Sequence, residues 1–77
     1  MTYKFEQFQV EITDPEISIN LNTIGDKALD KTLSVDVLLT TASAQFGVRA
    51  EDMPYTDTWD DSDVLDMVNI WLAQYAV

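Results

Sequence analysis

The chain of 77 residues contains no cysteine and no histidine. Without cysteine it can form neither a disulfide nor a thiolate metal site, so its core must depend on apolar packing. It also lacks the side chains that most often act as nucleophile or as acid and base near neutral pH. We therefore expect a protein that is not an enzyme, with no catalytic residue, no cofactor and no bound metal.

Glycine and basic residues are scarce as well. Gly25 and Gly47 stand alone, so no glycine-rich phosphate-binding loop is present. Four basic residues stand against fourteen acidic ones, which gives a net charge of -10. Such a chain is repelled by phosphate backbones and anionic lipids and is attracted to basic surfaces. We expect a protein partner with a basic surface, and no direct binding to nucleic acid or membrane.

Long apolar runs are missing too. No stretch approaches the roughly 18 apolar residues of a membrane span, and Met1–Glu6 lacks the basic segment and apolar run of a secretory signal. Because 47% of the residues are apolar, the chain has enough material for a core, and we predict a single domain over residues 1–77. We expect it in the cytoplasm, or in the host cytoplasm if it derives from a phage, an origin that fits its small size and acidity.

Apolar residues before position 51 mostly alternate singly with polar ones, which is typical of strands. In the first strand the alternation changes phase after Phe5. A bulge near Glu6 and Gln7 would turn Tyr3 and Phe5 towards the core, whereas without a bulge they would form an exposed patch. The pattern predicts strands at about residues 3–12, 16–23, 31–41 and 44–50. The third has the most regular alternation and is predicted to be the longest strand and the central one.

The segments between these strands have turn and loop compositions. Thr13–Glu16 contains Asp14 and Pro15, which favour a hairpin turn between the first two strands. Residues 23–31 show no period, and we predict a solvated loop there. Residues 51–57 also lack a period and are predicted to cross from the last strand to a helix.

The only helical pattern is at the C-terminus. Its apolar residues recur at spacings of three and four, which predicts a helix over about residues 59–76 with one side on the sheet. Ile70 lies well outside this apolar arc and is predicted to be exposed. The arc consists of Val64, Leu65, Met67, Val68, Trp71, Leu72 and Tyr75. Together these elements predict an α+β fold, a small four-stranded, mainly antiparallel meander sheet with one C-terminal helix packed on one face.

From position 51 onwards the chain has seven acids and no base. Capping explains part of this surplus, because either Thr58 with Asp61 or Asp60 with Asp63 has the spacing of a capping pair. A calcium loop is not indicated, since the required glycine and final glutamate are absent. A row of carboxylates that mimics DNA phosphates would need further acids, such as Glu16 or Asp36, to complete it. The candidate partner-binding residues are Glu51, Asp52, Asp57, Asp60, Asp61, Asp63, Asp66 and Ile70.

Two functions fit these observations. The first is a non-catalytic acidic protein-binding module, an inhibitor or adaptor of a basic or nucleic-acid-binding partner, whose binding should weaken with salt. The second is a structural or assembly subunit that acts through self-association or scaffold contacts, using a sheet edge, Ile70, or an exposed Tyr3 and Phe5 patch.

Overall fold

A computed structural model describes all 77 residues as an α+β fold of five strands and one helix. The strands form two antiparallel sheets, one of β1 and β2 and one in the order β3-β4-β5. The α+β prediction is confirmed, but the prediction of a single four-stranded sheet is wrong. In chain order the elements are β1 (Thr2–Phe5), β2 (Val10–Thr13), β3 (Glu16–Lys27), β4 (Thr32–Thr40), β5 (Gln45–Pro54) and α1 (Asp61–Ala73).

The predicted first strand is in fact a hairpin. The backbone N–H groups of Phe8 and Gln9 both donate to the carbonyl of Phe5, and Gln9 adopts a φ of 53°, so the chain reverses between β1 and β2. This reversal, and not a bulge, causes the change of phase in the sequence. Tyr3 is only 8% exposed and Phe5 is buried with it, which rules out the exposed aromatic patch.

The turn at Thr13–Glu16 joins the two sheets instead of forming a hairpin. β2 pairs with β1, and β3 pairs with β4, so β2 and β3 are not neighbours. Asp14 adopts a φ of 46°, and its side chain forms an ion pair with the N-terminal amine. The expected turn residues are therefore present, but they redirect the chain into a second layer.

The regular alternation of β4 is confirmed at the centre of the three-stranded sheet. Leu33, Val35, Val37 and Leu39 are all buried, and they form one core with the buried residues of the hairpin, β5 and the helix. Their neighbours Asp36 and Leu38 are exposed on the opposite face. β4 is thus the strand around which the core is built.

β3 extends through most of the predicted loop and is therefore longer than β4, the strand predicted to be the longest. Its register with β4 shifts between Asn20 and Gly25, and the Thr23 hydroxyl bridges the irregularity. This hydroxyl donates to the Asn20 carbonyl at 2.7 Å and accepts from the Asp36 backbone N–H at 2.9 Å. The Thr23 side chain therefore replaces hydrogen bonds that the backbone would form in a regular sheet. Because the register shifts here, the strand shows no regular alternation in the sequence, and the pattern predicts a loop.

β5 also continues beyond its predicted end, to Pro54. The register shifts opposite Ser34, where Asp52 takes a φ of 55° and its backbone N–H donates to the Ser34 hydroxyl at 3.2 Å. Pairing resumes at Met53, which is buried. The bulge leaves Glu51 and Asp52 on the surface beside the helix.

Helix α1 ends three residues before the predicted boundary. Beyond Gln74, the Tyr75 carbonyl accepts from the Lys4 backbone N–H, and the Val77 N–H donates to the Thr2 carbonyl, both at 2.9 Å. The last residues therefore lie along β1 and pair with it. β1 offers backbone groups on the side away from β2, and this tertiary pairing ends the helix.

Candidate functional site

The start of α1 fixes which of the two capping pairs is used. Asp60 is the N-cap, and its carboxylate accepts from the Asp63 backbone N–H at 3.0 Å while the Asp63 side chain accepts from the Asp60 N–H at the same distance. This reciprocal pair is a capping box, and Thr58 has no part in it. Two of the predicted partner-binding acids are thus used by the helix itself.

The environment of Asp60 stabilises its charged form. The Ser62 hydroxyl donates to its carboxylate at 2.6 Å, and the Asp63 backbone N–H adds a second hydrogen bond. Both bonds favour the carboxylate over the protonated acid, so the pKa of Asp60 is lowered from its ordinary value. Asp60 therefore remains ionised in mild acid and keeps the cap in place.

Most of the chain's cations are already paired. Lys27 lies 3.2 Å from Asp52, Lys31 lies 3.8 Å from Asp57, and Arg49 bonds to Asp36 at 2.9 Å. A DNA-mimicking row built from these acids would therefore be interrupted by bound cations. Glu51, Asp61 and Asp66 form no ion pair within the chain, and their charge is not offset locally.

An open groove runs between the end of β5 and one side of α1. It has two lobes, which share Pro54, Met67 and Ile70. The β5 lobe is lined in addition by Glu51, Asp52, Met53, Trp71 and Gln74. The loop lobe is lined in addition by Tyr55, Thr56, Thr58, Trp59, Asp63 and Asp66.

The centre of this groove is apolar and accessible. Ile70 is 76% exposed, as its position outside the apolar arc predicts, and Met67 beside it is only partly buried. Trp71 is also partly buried, with its ring 6.2 Å from that of Phe5 in the core. Trp71 thus contacts the core and also lines the groove. An exposed aliphatic side chain next to two partly exposed ones forms a surface that a partner can cover.

The ends of the groove are acidic. Glu51 and Asp52 line the β5 lobe, Asp63 and Asp66 line the loop lobe, and no lysine or arginine lines either one. The fold therefore brings together five of the eight predicted partner-binding residues, namely these four acids and Ile70. Asp57, Asp60 and Asp61 do not line the groove.

A hydrogen-bonded clamp that the sequence did not reveal lies next to the loop lobe. The carboxylate of Asp26, in β3, accepts from the Tyr55 hydroxyl at 2.6 Å and from the Trp59 indole N–H at 3.2 Å. The hydrogen bond to Asp26 and its negative charge raise the pKa of Tyr55. This Asp26 clamp ties the segment between β5 and α1 to the far strand of the sheet.

Only part of the groove had a signal in the sequence. The run of acids and the outlying Ile70 indicated that this segment was unusual. Nothing local indicated that Trp59 and Tyr55 share one acceptor in β3, because that contact joins residues about thirty positions apart. The exposed flank of Met67 was also missed, since the residue falls within the apolar arc of the helix.

No group of three or more acidic side chains is arranged to hold a metal ion. Helix α1 does not have the length and apolar character that are needed to cross a membrane. No protein-family model, curated protein or solved structure matches the chain.

Proposed function

We propose that this protein is a non-catalytic acidic binding module, an inhibitor or adaptor that docks on the basic surface of a partner protein. The observation that carries the proposal is the convergence of Glu51 and Asp52 from β5 with Asp63 and Asp66 from α1 around the exposed Ile70. An apolar centre with a charged rim is the usual arrangement of a protein interface. The net charge of -10 directs such a surface towards cations.

The same charge opposes self-association through the groove. Two copies that met there would bring two acidic rims together, and like charges in contact are unfavourable. Tyr3 and Phe5 are buried and offer no second apolar surface. A basic partner therefore has more support than an assembly of identical subunits.

The test is the salt dependence of partner binding. Immobilised protein should retain a partner with a basic surface, which can be identified by mass spectrometry, purified and titrated. Raising the salt from about 0.1 M to about 1 M shortens the Debye length from about 10 Å to about 3 Å. We expect Kd to rise at least about tenfold, the combined effect of a few exposed ion pairs. An affinity that is indifferent to ionic strength would exclude the proposal.

The variants for this test should avoid the capping box. Changing Asp60 or Asp63 to Asn alters the helix start as well as the charge, so lost binding would have two explanations. Asp61→Asn and Asp66→Asn each remove one exposed charge that has no ion-pair partner. If Asp66 contacts the partner and Asp61 does not, only the Asp66 variant should weaken binding strongly.

A further inference from the structure

We infer that the groove between β5 and α1 holds a short segment of the partner protein in which apolar side chains are flanked at both ends by lysine or arginine. This inference rests on the proposed function and adds the location and the chemistry of the bound segment. It follows from the distribution of charge and apolar surface along the groove, and it does not depend on the acids alone.

The apolar part of the segment is placed by Ile70. This side chain belongs to both lobes, together with Met67 and Pro54, so the two lobes form one continuous surface. Ile70 is 76% exposed, on the side of α1 away from the buried residues Val64, Val68 and Leu72. An apolar side chain on each side of Ile70 would remove it from water and would fill both lobes.

The cationic ends of the segment are placed by the two acidic pairs. Glu51 and Asp52 lie at the β5 lobe, and Asp63 and Asp66 lie at the loop lobe. Glu51 and Asp66 have no cation of their own, so one at each end is free to pair. No lysine or arginine lines either lobe, although Lys27 lies beside the β5 lobe through its ion pair with Asp52. At that lobe the incoming cation therefore pairs with Glu51.

The length of the segment follows from the helix. The residues of α1 and its C-cap that line the groove run from Asp63 to Gln74. At about 1.5 Å per residue this is a rise of about 16 Å, which an extended chain covers with about five residues. A lysine at each end of such a segment therefore reaches one acidic pair, with apolar residues between.

The fluorescence of the two tryptophans can report peptide binding in the groove. Trp71 lines the β5 lobe and Trp59 lines the loop lobe, and the chain has no other tryptophan. We would titrate the protein with a tryptophan-free synthetic peptide that has leucines between flanking lysines. The control peptide has serine in place of each leucine and the same charge. We expect the leucine peptide to change the fluorescence of both tryptophans, and the serine peptide to bind at least about tenfold more weakly.

Matched variants test the location. Glu51→Gln with Asp66→Asn should raise Kd for the leucine peptide about fivefold, and Ile70→Ser about tenfold. Glu11→Gln with Asp30→Asn removes the same charge from exposed sites that do not line the groove. Leu29→Ser removes an aliphatic side chain that is more exposed than Ile70 and also lies outside the groove. These controls should leave Kd nearly unchanged. Circular dichroism would establish that each variant is folded.

The outcomes separate the inference from the proposed function. If both peptides bind equally, or if the control variants weaken binding as much as the groove variants, the groove is not the docking site. The proposal of a basic partner would then remain. If neither peptide binds at low salt, the inference fails, and the proposed function is then decided separately by the salt dependence of partner binding.

Discussion

The two sides of helix α1 differ in what surrounds them. Val64, Val68 and Leu72 are completely buried under the sheet and the first hairpin. Ile70, on the opposite side of the same helix, is 76% exposed. Hydrophobic residues thus occur on both sides, but only one side is covered. The difference indicates that the buried side stabilises the fold and that the uncovered side is available to a partner.

The largest effect is expected on the buried side. Leu72→Ala should lower the free energy of unfolding by about 2–5 kcal/mol, because it removes apolar contacts and leaves a cavity. Ile70→Ala, its control, should change this free energy by less than about 0.5 kcal/mol. Urea denaturation followed by circular dichroism measures both. If both variants lost the same free energy of unfolding, the two sides of α1 would contribute equally to stability.

Trp71 tests the boundary between the two sides. Its ring lies 4.9 Å from that of Tyr75, which in turn stacks on Phe5 at 4.4 Å. Because Trp71 is only partly buried, Trp71→Ala should lower the free energy of unfolding by about 2 kcal/mol, less than a fully buried tryptophan. It should also weaken peptide binding. Normal binding by a folded Trp71→Ala variant would place the residue wholly with the core.

Removing the Asp26 clamp would test whether its hydrogen bonds hold the loop lobe of the groove in place. Asp26→Ala removes the acceptor of the Tyr55 and Trp59 hydrogen bonds and should lower the free energy of unfolding by about 1 kcal/mol. The fluorescence of Trp59 should also change, since its indole N–H is released. The control is Asp30→Ala, an exposed acid on the neighbouring turn. An unchanged spectrum in the Asp26 variant would mean that the clamp does not hold the loop lobe.

The smallest effect concerns the pH dependence of the helix start. The pKa of Asp60 is lowered by its hydrogen bonds, so the fold gains stability from this group above the ordinary value of 3.8 and loses it as the pH falls through the folded-state value. Asp60→Asn should therefore flatten the fall of Tm below about pH 4. Asp61→Asn makes the same charge change outside the capping box. Identical profiles for the two variants would assign the acid sensitivity to overall charge.

Local patterns were sufficient for the elements that local forces determine. The alternation of β4 predicts its buried face correctly because side chains on a strand point to opposite sides in turn. The sequence limits the capping box to two candidate pairs, since the box forms within one turn of the chain, and the structure selects Asp60 with Asp63. The exposure of Ile70 also follows from helix geometry alone.

Other features depended on contacts between distant residues. The change in the phase of alternation after Phe5 is compatible with a β-bulge or with a reversal of the chain. The antiparallel pairing of Tyr3 with Ile12 shows that the chain reverses. The helix ends early because Tyr75 and Val77 pair with β1. Leu65 was placed with the buried arc by its position on the helical wheel, yet no neighbouring element covers it.

The sequence by itself determined the α+β class, the central strand, the capped C-terminal helix and the strong negative charge. These follow from residue period, from hydrogen bonds within one turn and from the count of ionisable groups. Only the tertiary structure decided that the strands divide into two sheets and that Glu51 and Asp52 line one lobe of a groove whose other lobe is lined by Asp63 and Asp66. The reason is physical: the partner of a strand edge or of a helix flank depends on how the whole chain buries its apolar surface.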